Sequence, residues 1–186
     1  DMITYSRTAW TFGTSFVDGK TIYDNIISNA RIISQRMGGP LDANGFTDGH
    51  SLANAYVLVP AFQAAVEGKT PDGAMNDPKK AGFPLPNWRV TYSGLKNIPF
   101  INSQFSKFDV LHGYTSTYTA SGIQSSIDYY NVQNNAISDR DAFGDIYNPY
   151  TYSQVGYVES FSPLIGADVT MRNNMQFRAQ YNVDRL

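Results

Sequence analysis

The sequence feature that most constrains the fold is an alternating segment near the end of the chain, residues 165–184. Every second residue is apolar over 165–171, and after Asn173-Asn174 the alternation starts again over 175–183. Side chains of a β-strand point to opposite faces in turn, and Asn favours the tight turns that join strands. The sequence therefore predicts an antiparallel hairpin with one apolar and one polar face.

The two faces of this hairpin give two sets of candidate residues. The polar face carries charges of both signs and amide side chains, so it must be in contact with water. Such a hairpin suits either a soluble sheet or the wall of a water-filled membrane barrel. In the barrel interpretation, the lumen-facing candidates are Asp168, Thr170, Gln176, Arg178 and Gln180. The lipid-facing candidates are Ile165, Val169, Met171, Phe177 and Tyr181.

Composition favours a cell-surface β protein of one of two kinds. Charged residues make up 16 % of the 186 residues, which is below the usual proportion, and aromatic residues make up 14 %. Low charge with many aromatic residues is typical of outer-membrane barrels, and secreted carbohydrate-binding sandwiches share it. A net charge of −2 with mixed signs gives no sign of a nucleic-acid partner. The absence of cysteine excludes disulfides, thiolate metal sites and Cys nucleophiles.

The rest of the chain divides into strand segments and one helical insertion. Apolar residues at helical spacing predict helices over 21–37 and 55–67. The strands number about five, fewer than the roughly eight that a closed barrel needs. The chain also begins without Met and ends just after a strand, so we expect it to be a piece of a longer protein. The predicted segments are 1–17 (strand), 18–86 (helical and loop insertion), 87–126 (strands), 127–149 (loop) and 150–186 (strand and hairpin).

No arrangement of residues predicts an enzyme, a cofactor site or a metal site. The two histidines, His50 and His112, have no Gly-x-Ser-x-Gly elbow with them, and His112 alternates with apolar neighbours as a packed side chain would. Acidic residues around Asp42 are spaced unlike an EF-hand and indicate turns rather than calcium. The second acidic cluster, Asp139, Asp141 and Asp145, favours a solvated turn, with calcium as the alternative. Glu159 shares a strand face with aromatic residues, and a nearby kink in the strand is the simpler explanation for it. We assign no catalytic, cofactor-binding or metal-binding residue.

Five phrases are more specific than any of these signals. In chain order they are SRTAW (6–10), VLVPAFQAA (57–65), PLPNWRVTYSGL (84–95), HGYTSTY (112–118) and ESFSPLIG (159–166). In this order they resemble the C-terminal part of the SprA/Sov family, very large outer-membrane proteins of Bacteroidetes involved in type IX protein secretion and gliding motility. The resemblance covers nearly the whole chain. Its motif residues are Pro60, Phe62, Pro86, Asn87, Trp88, Tyr92, Gly94, His112, Gly113, Tyr114, Phe161, Pro163 and Leu164.

The resemblance implies a fold, a location and a set of partners. The fold would be mainly β, a segment of a large antiparallel β-barrel in the bacterial outer membrane at the cell surface, with the two short helices in a loop or cap insertion. The barrel would conduct folded proteins outward. Implied partners are the remainder of the same barrel chain, secreted protein cargo, the plug and cargo-shuttle proteins of type IX secretion, and outer-membrane lipid. The resemblance implies no catalytic residue and no cofactor.

Two other interpretations stay open at the level of the sequence. One is a segment of a different outer-membrane barrel, such as a nutrient receptor or a porin. The other is a soluble carbohydrate-binding sandwich, in which Trp10 and Trp88 would stack on sugars.

Overall fold

The computed structural model describes residues 3–9, 11–71, 87–134 and 137–185. These residues form a six-stranded antiparallel sheet with a few helices, and the sheet does not close on itself. The strands are β1 (Ile3–Thr8), β2 (Trp88–Tyr92), β3 (Phe105–Ser125), β4 (Tyr150–Thr151), β5 (Gln154–Met171) and β6 (Gln176–Arg185). The helices are α1 (Gly19–Arg36), α2 (Ala55–Glu67), α3 (Pro99–Gln104) and α4 (Ile127–Gln133). None of these described helices is long and apolar enough to cross a membrane.

The sheet is built around β3 and β5, which pair along most of their lengths. The strand order is β1-β3-β5-β6, and the short strands β2 and β4 also pair with β3. Because β5 occupies one edge of β3, β2 and β1 lie along its other edge, where they pair with residues 110–114 and 117–123 of β3, respectively. The short strand β4 pairs with residues 124–125 in the same register as β5 and therefore continues the edge that β5 occupies.

The predicted hairpin is confirmed as β5 and β6. Val169 lies opposite Phe177 and Asp168 lies opposite Arg178, so apolar residues pair with apolar and polar with polar. At the turn, the Asn174 N–H donates to the Met171 carbonyl at 3.0 Å. Asn174 has a φ of 66°, a left-handed conformation that Asn tolerates better than most residues.

A bulge in β5 lies at the predicted kink around Pro163. Between two paired positions, four steps along β3 (Leu111 to Thr115) lie opposite six steps along β5 (Ser160 to Gly166). Proline has no N–H to donate to the ladder and is therefore well placed in a bulge. Because the bulge adds an even number of residues, each face of β5 continues as the same face on both sides of it.

The two predicted helices of the insertion are confirmed as α1 and α2. Asp18 caps α1 by accepting the Thr21 N–H at 2.9 Å, and Gly68 ends α2 with a left-handed φ of 63°. The two helices pack on each other and on one loop side chain. Their shared core consists of Ala30, Ile33, Phe46, Val57 and Ala61. Residues 72–86, the last part of the predicted insertion, lie outside the described residues, as do Trp10 and Pro86.

Three parts of the predicted organisation are wrong. The strand predicted over 1–17 covers only Ile3–Thr8, since a short 3₁₀ turn (Phe12–Thr14) follows it and leaves the sheet. The predicted loop 127–149 begins with α4, which Ser126 caps by accepting the Tyr129 N–H. The stretch 87–126, predicted as strands, contains α3 between β2 and β3. Helices of one or two turns are too short to show a clear apolar period in the sequence.

Candidate functional site

The feature with most bearing on function is the contrast between the two faces of the sheet. The front face consists of the even-numbered residues of β3 from Phe108 to Ala120 and the odd-numbered residues of β5 from Tyr157 to Met171. We call the opposite side of the sheet the back face. The 3₁₀ turn and the insertion pack on the front face over residues 114–125 of β3 and their partners, the covered half. The open half contains β2, residues 105–112 of β3 and the β5–β6 hairpin.

The core of the covered half joins the sheet to the insertion. Tyr118 and Tyr157 lie side by side with their ring centroids 5.0 Å apart. Val66 of α2 is buried against them, and Phe62 of the same helix contacts the Tyr157 ring at 5.5 Å. The predicted motif residue Phe62 therefore holds the insertion on the sheet.

A buried carboxylate at the end of α2 strengthens this junction. Glu67 is 4 % exposed and accepts hydrogen bonds from the Tyr157 hydroxyl at 2.5 Å, from Arg7 and from Lys69. The Arg7 guanidinium also lies over the Tyr118 ring, 4.9 Å from its centroid. Tyr157, Arg7 and Glu67 come from three different elements, so this cluster fixes the position of α2 on the sheet.

Electrostatics in this cluster favour the ionised carboxylate. Burial acts to raise the pKa of Glu67, but the hydrogen bonds from Lys69 and Tyr157 and the charge of Arg7 outweigh it, and the pKa lies below its usual value. Burial, followed by the charge of Glu67, raises the pKa of Tyr157. Burial also raises the pKa of Tyr118 to about 12. Both phenols therefore remain neutral, and Tyr157 remains a donor to the anionic Glu67.

A second buried carboxylate, Glu159 on β5, holds the 3₁₀ turn against the sheet. It is 2 % exposed, and its Oε1 accepts from the Thr11 hydroxyl at 2.5 Å and from the Ser15 hydroxyl at 2.8 Å. The Tyr114 hydroxyl donates to the same oxygen at 2.9 Å, and Arg185 of β6 lies 3.1 Å from Oε2. The sequence placed Glu159 on the correct face, but a kink does not account for it: Glu159 is a structural anchor.

The acidic loops form turns, as predicted from the sequence. Asp42 Oδ1 accepts from the N–H groups of Asn44 and Phe46, both at 2.8 Å. Likewise, Asp141 Oδ1 accepts from the N–H groups of Phe143 at 2.8 Å and Asp145 at 2.9 Å. Within the described part of the chain, no three His, Cys, Asp or Glu side chains are grouped as a metal site would need.

The two loops also fasten the insertion to the far end of the sheet. Arg140 makes two hydrogen bonds to the Asp48 carboxylate, at 2.9 and 2.8 Å. Asp145, which is buried, accepts from both the N–H and the hydroxyl of Ser51 at 2.6 Å. Together with the Glu67 cluster, these bonds fix the insertion on the covered half, while the Glu159 cluster fixes the turn before it.

The front face of the open half is apolar and exposed. Its residues pair across the strands in apolar rows, of which the first contains Phe108, Val169 and Phe177. Isolated exposed apolar residues are ordinary in soluble proteins, but a continuous band of them marks an interaction surface. Five members of this band are about half exposed or more: Val90 (50 %), Tyr92 (56 %), Ile165 (62 %), Phe177 (49 %) and Tyr181 (62 %).

The back face is polar along both halves. In the open half, Asp168 pairs with Arg178 at 2.9 Å and with Lys107 at 3.3 Å. In the covered half it consists mainly of Thr, Ser and Gly; Val158 there and Leu111 in the open half are apolar exceptions. Its main polar members are Lys107, Asp109, Thr115, Thr117, Thr119, Ser160, Asp168, Thr170, Gln176, Arg178 and Gln180.

The two sets of hairpin candidates therefore lie on opposite faces of the sheet. The pairing of β5 with β6 puts the five lumen-facing candidates on the back face and the five lipid-facing candidates on the front face. This confirms the facial separation predicted from the alternation.

Several motif residues meet where the covered and open halves join. The Trp88 indole stacks on the Tyr114 ring with centroids 4.4 Å apart, and Phe161 contacts the same ring at 5.0 Å. His112 Nδ1 forms a hydrogen bond with the Leu164 carbonyl at 2.8 Å, which confirms a packed imidazole. Three phrases that are distant in the sequence therefore form one aromatic junction.

Backbone contacts complete this junction. Asn87 Oδ1 accepts the Ser116 N–H at 3.0 Å. Gly113 lies so close to the bulge that a Cβ atom there would be 2.6 Å from the Ser162 carbonyl oxygen. A cleft of about 410 Å³ opens beside Arg89 and Thr115, and the side chains that line it include no carboxylate and no imidazole.

The remaining motif residues have local roles. Pro60 lies inside α2, and Pro163 lies buried in the β5 bulge. Gly94 follows β2, where a Cβ atom would be 2.4 Å from the Tyr92 hydroxyl oxygen. The residues that sequence reasoning missed are Glu67, Arg7 and Lys69. The signal that could have revealed Glu67 is an acidic residue at the end of an otherwise apolar helix.

These features define a class of protein rather than an individual one. The described residues form an open antiparallel sheet, one face of which is mainly polar while the other is mainly apolar and only half covered. Comparison with known protein families and with curated proteins finds no match to this chain.

Proposed function

We propose that this chain forms part of the wall of a large β-barrel in the bacterial outer membrane, which conducts proteins as in the SprA/Sov family that its motifs resemble. The observation that carries the proposal is the uncovered apolar band on the front face of the open half. The opposite side of the same strands is the polar back face. In a barrel wall, the band would contact lipid and the back face would line a water-filled lumen.

The dimensions of the open half and of the aromatic junction that borders it fit this role. From Phe105 through the open half to Tyr114 of that junction, β3 advances nine residues, which at about 3.3 Å per residue is roughly 30 Å along the strand. A strand tilted by about 40° would cover roughly 23 Å of membrane thickness, close to the ~25 Å apolar band of outer-membrane barrels. The whole of β3 has 21 residues, so its covered half would extend beyond the membrane.

The free edge of the sheet also favours a larger barrel. The outer edge of β6 pairs with no strand among the described residues, and β6 is ten residues long. A long edge with unpaired backbone groups is prone to pair with another strand. In the proposed barrel, the next strand of the same longer chain would occupy this edge.

The back face suits the passage of protein cargo. Its Thr, Ser and Gln side chains are hydrated and offer little apolar surface to a passing polypeptide. Several of its charges are mutually paired, as in the group of Lys107, Asp168 and Arg178. A lumen with this surface would let cargo pass without adhering to it, and the mechanism needs no catalytic residue in this segment.

Spin labels can test which face contacts lipid. The chain contains no cysteine, so single cysteines at Val169 and Phe177 on the front face, and at Thr170 and Gln176 on the back face, each give one site in this segment. In the intact protein in bilayers, we expect labels on the front face to be accessible to oxygen and shielded from a water-soluble nickel chelate. Labels on the back face should show the reverse. Equal chelate access on both faces would overturn the proposal.

Crosslinking can test the conducting role separately. A photo-crosslinking residue at Thr119 or Thr170 of the intact protein should capture secreted protein in cells with active export. The same residue at Val169 should capture none, because it would face lipid. Capture of cargo at Val169, or its absence at both back-face sites, would contradict a protein-conducting lumen on this side.

A further inference from the structure

The turn that follows β1 carries exposed aromatic side chains at the border of the apolar band. Phe16 is 69 % exposed and stacks on Phe161, with ring centroids 5.6 Å apart. Phe12 is 41 % exposed and contacts Trp88 at 5.8 Å and Tyr114 at 5.6 Å. Tyr114 and Phe161 form the last row of the front face before the open half begins.

We infer that this turn, residues 11–17, is a membrane-interface anchor whose Phe12 and Phe16 rings lie in the lipid at the border between the headgroups and the acyl chains. The inference rests on the proposed function, because it requires that the open half faces lipid. It goes beyond that proposal by assigning a lipid contact to the turn between β1 and α1, which the strands alone do not provide.

The first argument is continuity of surface. Phe16 and Phe12 pack on the aromatic junction, and the next exposed apolar residues of the front face are Ile165 and Tyr181. The two rings therefore extend the apolar band rather than forming a separate patch. Aromatic side chains at the two rims of such a band are the usual feature of outer-membrane barrels.

The second argument is that the turn is rigidly held. Thr11 and Ser15 donate to Glu159, and the Arg185 guanidinium donates to the Thr14 carbonyl at 2.7 Å. The Phe rings are thus presented outward by a backbone that is bonded to a buried carboxylate. They also separate Glu159 from the band, which keeps lipid away from a charge that is costly to place in hydrocarbon.

The third argument is the change in chemistry just after the turn. Asp18 and Lys20 follow Phe16 within four residues, and the Lys20 side chain is 83 % exposed and pairs with Asp24. A sharp change from exposed aromatic to exposed charged residues is what a segment at the membrane surface requires. In this arrangement α1 would lie on the aqueous side, outside the barrel wall rather than in its lumen.

Spin labels at four positions of the intact protein in bilayers test the inference. Phe143 provides the matched control, since it is an equally large ring that is 81 % exposed in a loop far from the band. We use F16C as the test, F143C and K20C as aqueous controls, and F177C as the control for the lipid-facing wall. We expect the ratio of oxygen to nickel-chelate accessibility at F16C to be several-fold higher than at F143C and K20C.

The outcomes separate the two proposals. If F177C is shielded from the chelate while F16C is as accessible as F143C, the anchor is wrong and the lipid-facing wall stands. If F177C itself is accessible to the chelate, both proposals are wrong. Phe16→Ser provides a second measurement, because it should weaken retention of the protein in bilayers during urea extraction, whereas Phe143→Ser should not; equal retention of the two variants would also overturn the anchor.

Discussion

The covered and open halves of the sheet share the same two long strands and the same front face, yet they use different side chains. In the open half, β3 presents Phe108 and Val110, which need no hydrogen-bond partner. In the covered half it presents Tyr114, Ser116 and Tyr118, all of them buried. Buried hydroxyl groups need partners, and the turn after β1 supplies them to Tyr114 and Ser116 through the Thr11 hydroxyl.

This difference teaches that alternation alone does not distinguish a surface that contacts protein from one that does not. Both halves alternate with the same period, and in both the front face is the less polar one. The distinction lies in whether the front-face residues carry polar groups whose partners come from another element. Glu67 and Glu159 lie only in the covered half, where donors from the insertion and other strands reach them.

The largest effect is expected for Glu67→Ala, which removes a buried carboxylate from the core of the covered half. Glu67→Ala leaves the half-buried Arg7 without its carboxylate, and loss of one partner of a buried ion pair costs about 4 kcal/mol. We expect α2 amides to exchange hydrogen much faster in this variant, as measured by mass spectrometry. Asp24→Ala removes an exposed pair with Lys20 and should cost about 0.5 kcal/mol or less. Similar exchange in the two variants would contradict a clamping role for Glu67.

The next effect tests the open half. If its front face contacts lipid, Val169→Arg should destabilise the assembled protein by roughly 3 kcal/mol, as a charge near the membrane midplane does. Thr170→Arg, one residue away on the back face, should have little effect because its side chain would reach water. Urea unfolding of both variants in bilayers measures the difference. Equal stability of the two variants would show that the front face contacts water and would contradict the prediction.

A smaller effect tests the junction between the halves. Gly113→Ala places a Cβ atom 2.6 Å from the Ser162 carbonyl oxygen, and forced movement of a packed backbone costs about 2 kcal/mol. Gly156→Ala meets no atom within 4 Å and should stabilise its strand by about 0.5 kcal/mol. The midpoints of thermal unfolding should move in opposite directions. A neutral Gly113→Ala would show that the bulge can shift to make room.

The smallest effect is the pH dependence of the covered half. Folding lowers the pKa of Glu67, so its contribution to stability is complete above the ordinary carboxyl pKa of about 4.3 and is lost as the pH falls through the lowered value. Hydrogen exchange of α2 should therefore accelerate on acidification into this range. Glu67→Gln should lose this part of the pH dependence, and an unchanged profile would show that another group governs it.

The sequence by itself determined the elements whose pattern is local. The hairpin register, the helix Ala55–Glu67 and the turns at Asp42 and Asp141 all follow from residues within a few positions of one another. Periodicity and turn preference act over such short distances, so they can be read without a fold. The short helices α3 and α4 were missed because one or two turns contain too little of the period.

Only the tertiary structure decided which half of the front face is covered and what holds the cover. The hydrogen bond from Thr11 to Glu159 joins residues 148 positions apart, and that from Tyr157 to Glu67 joins residues 90 positions apart. Nothing in the local sequence indicates such a partner, because a buried carboxylate is stable only where distant donors converge on it. The alternation therefore fixes two faces, while the packing of distant residues decides what each part of a face contacts.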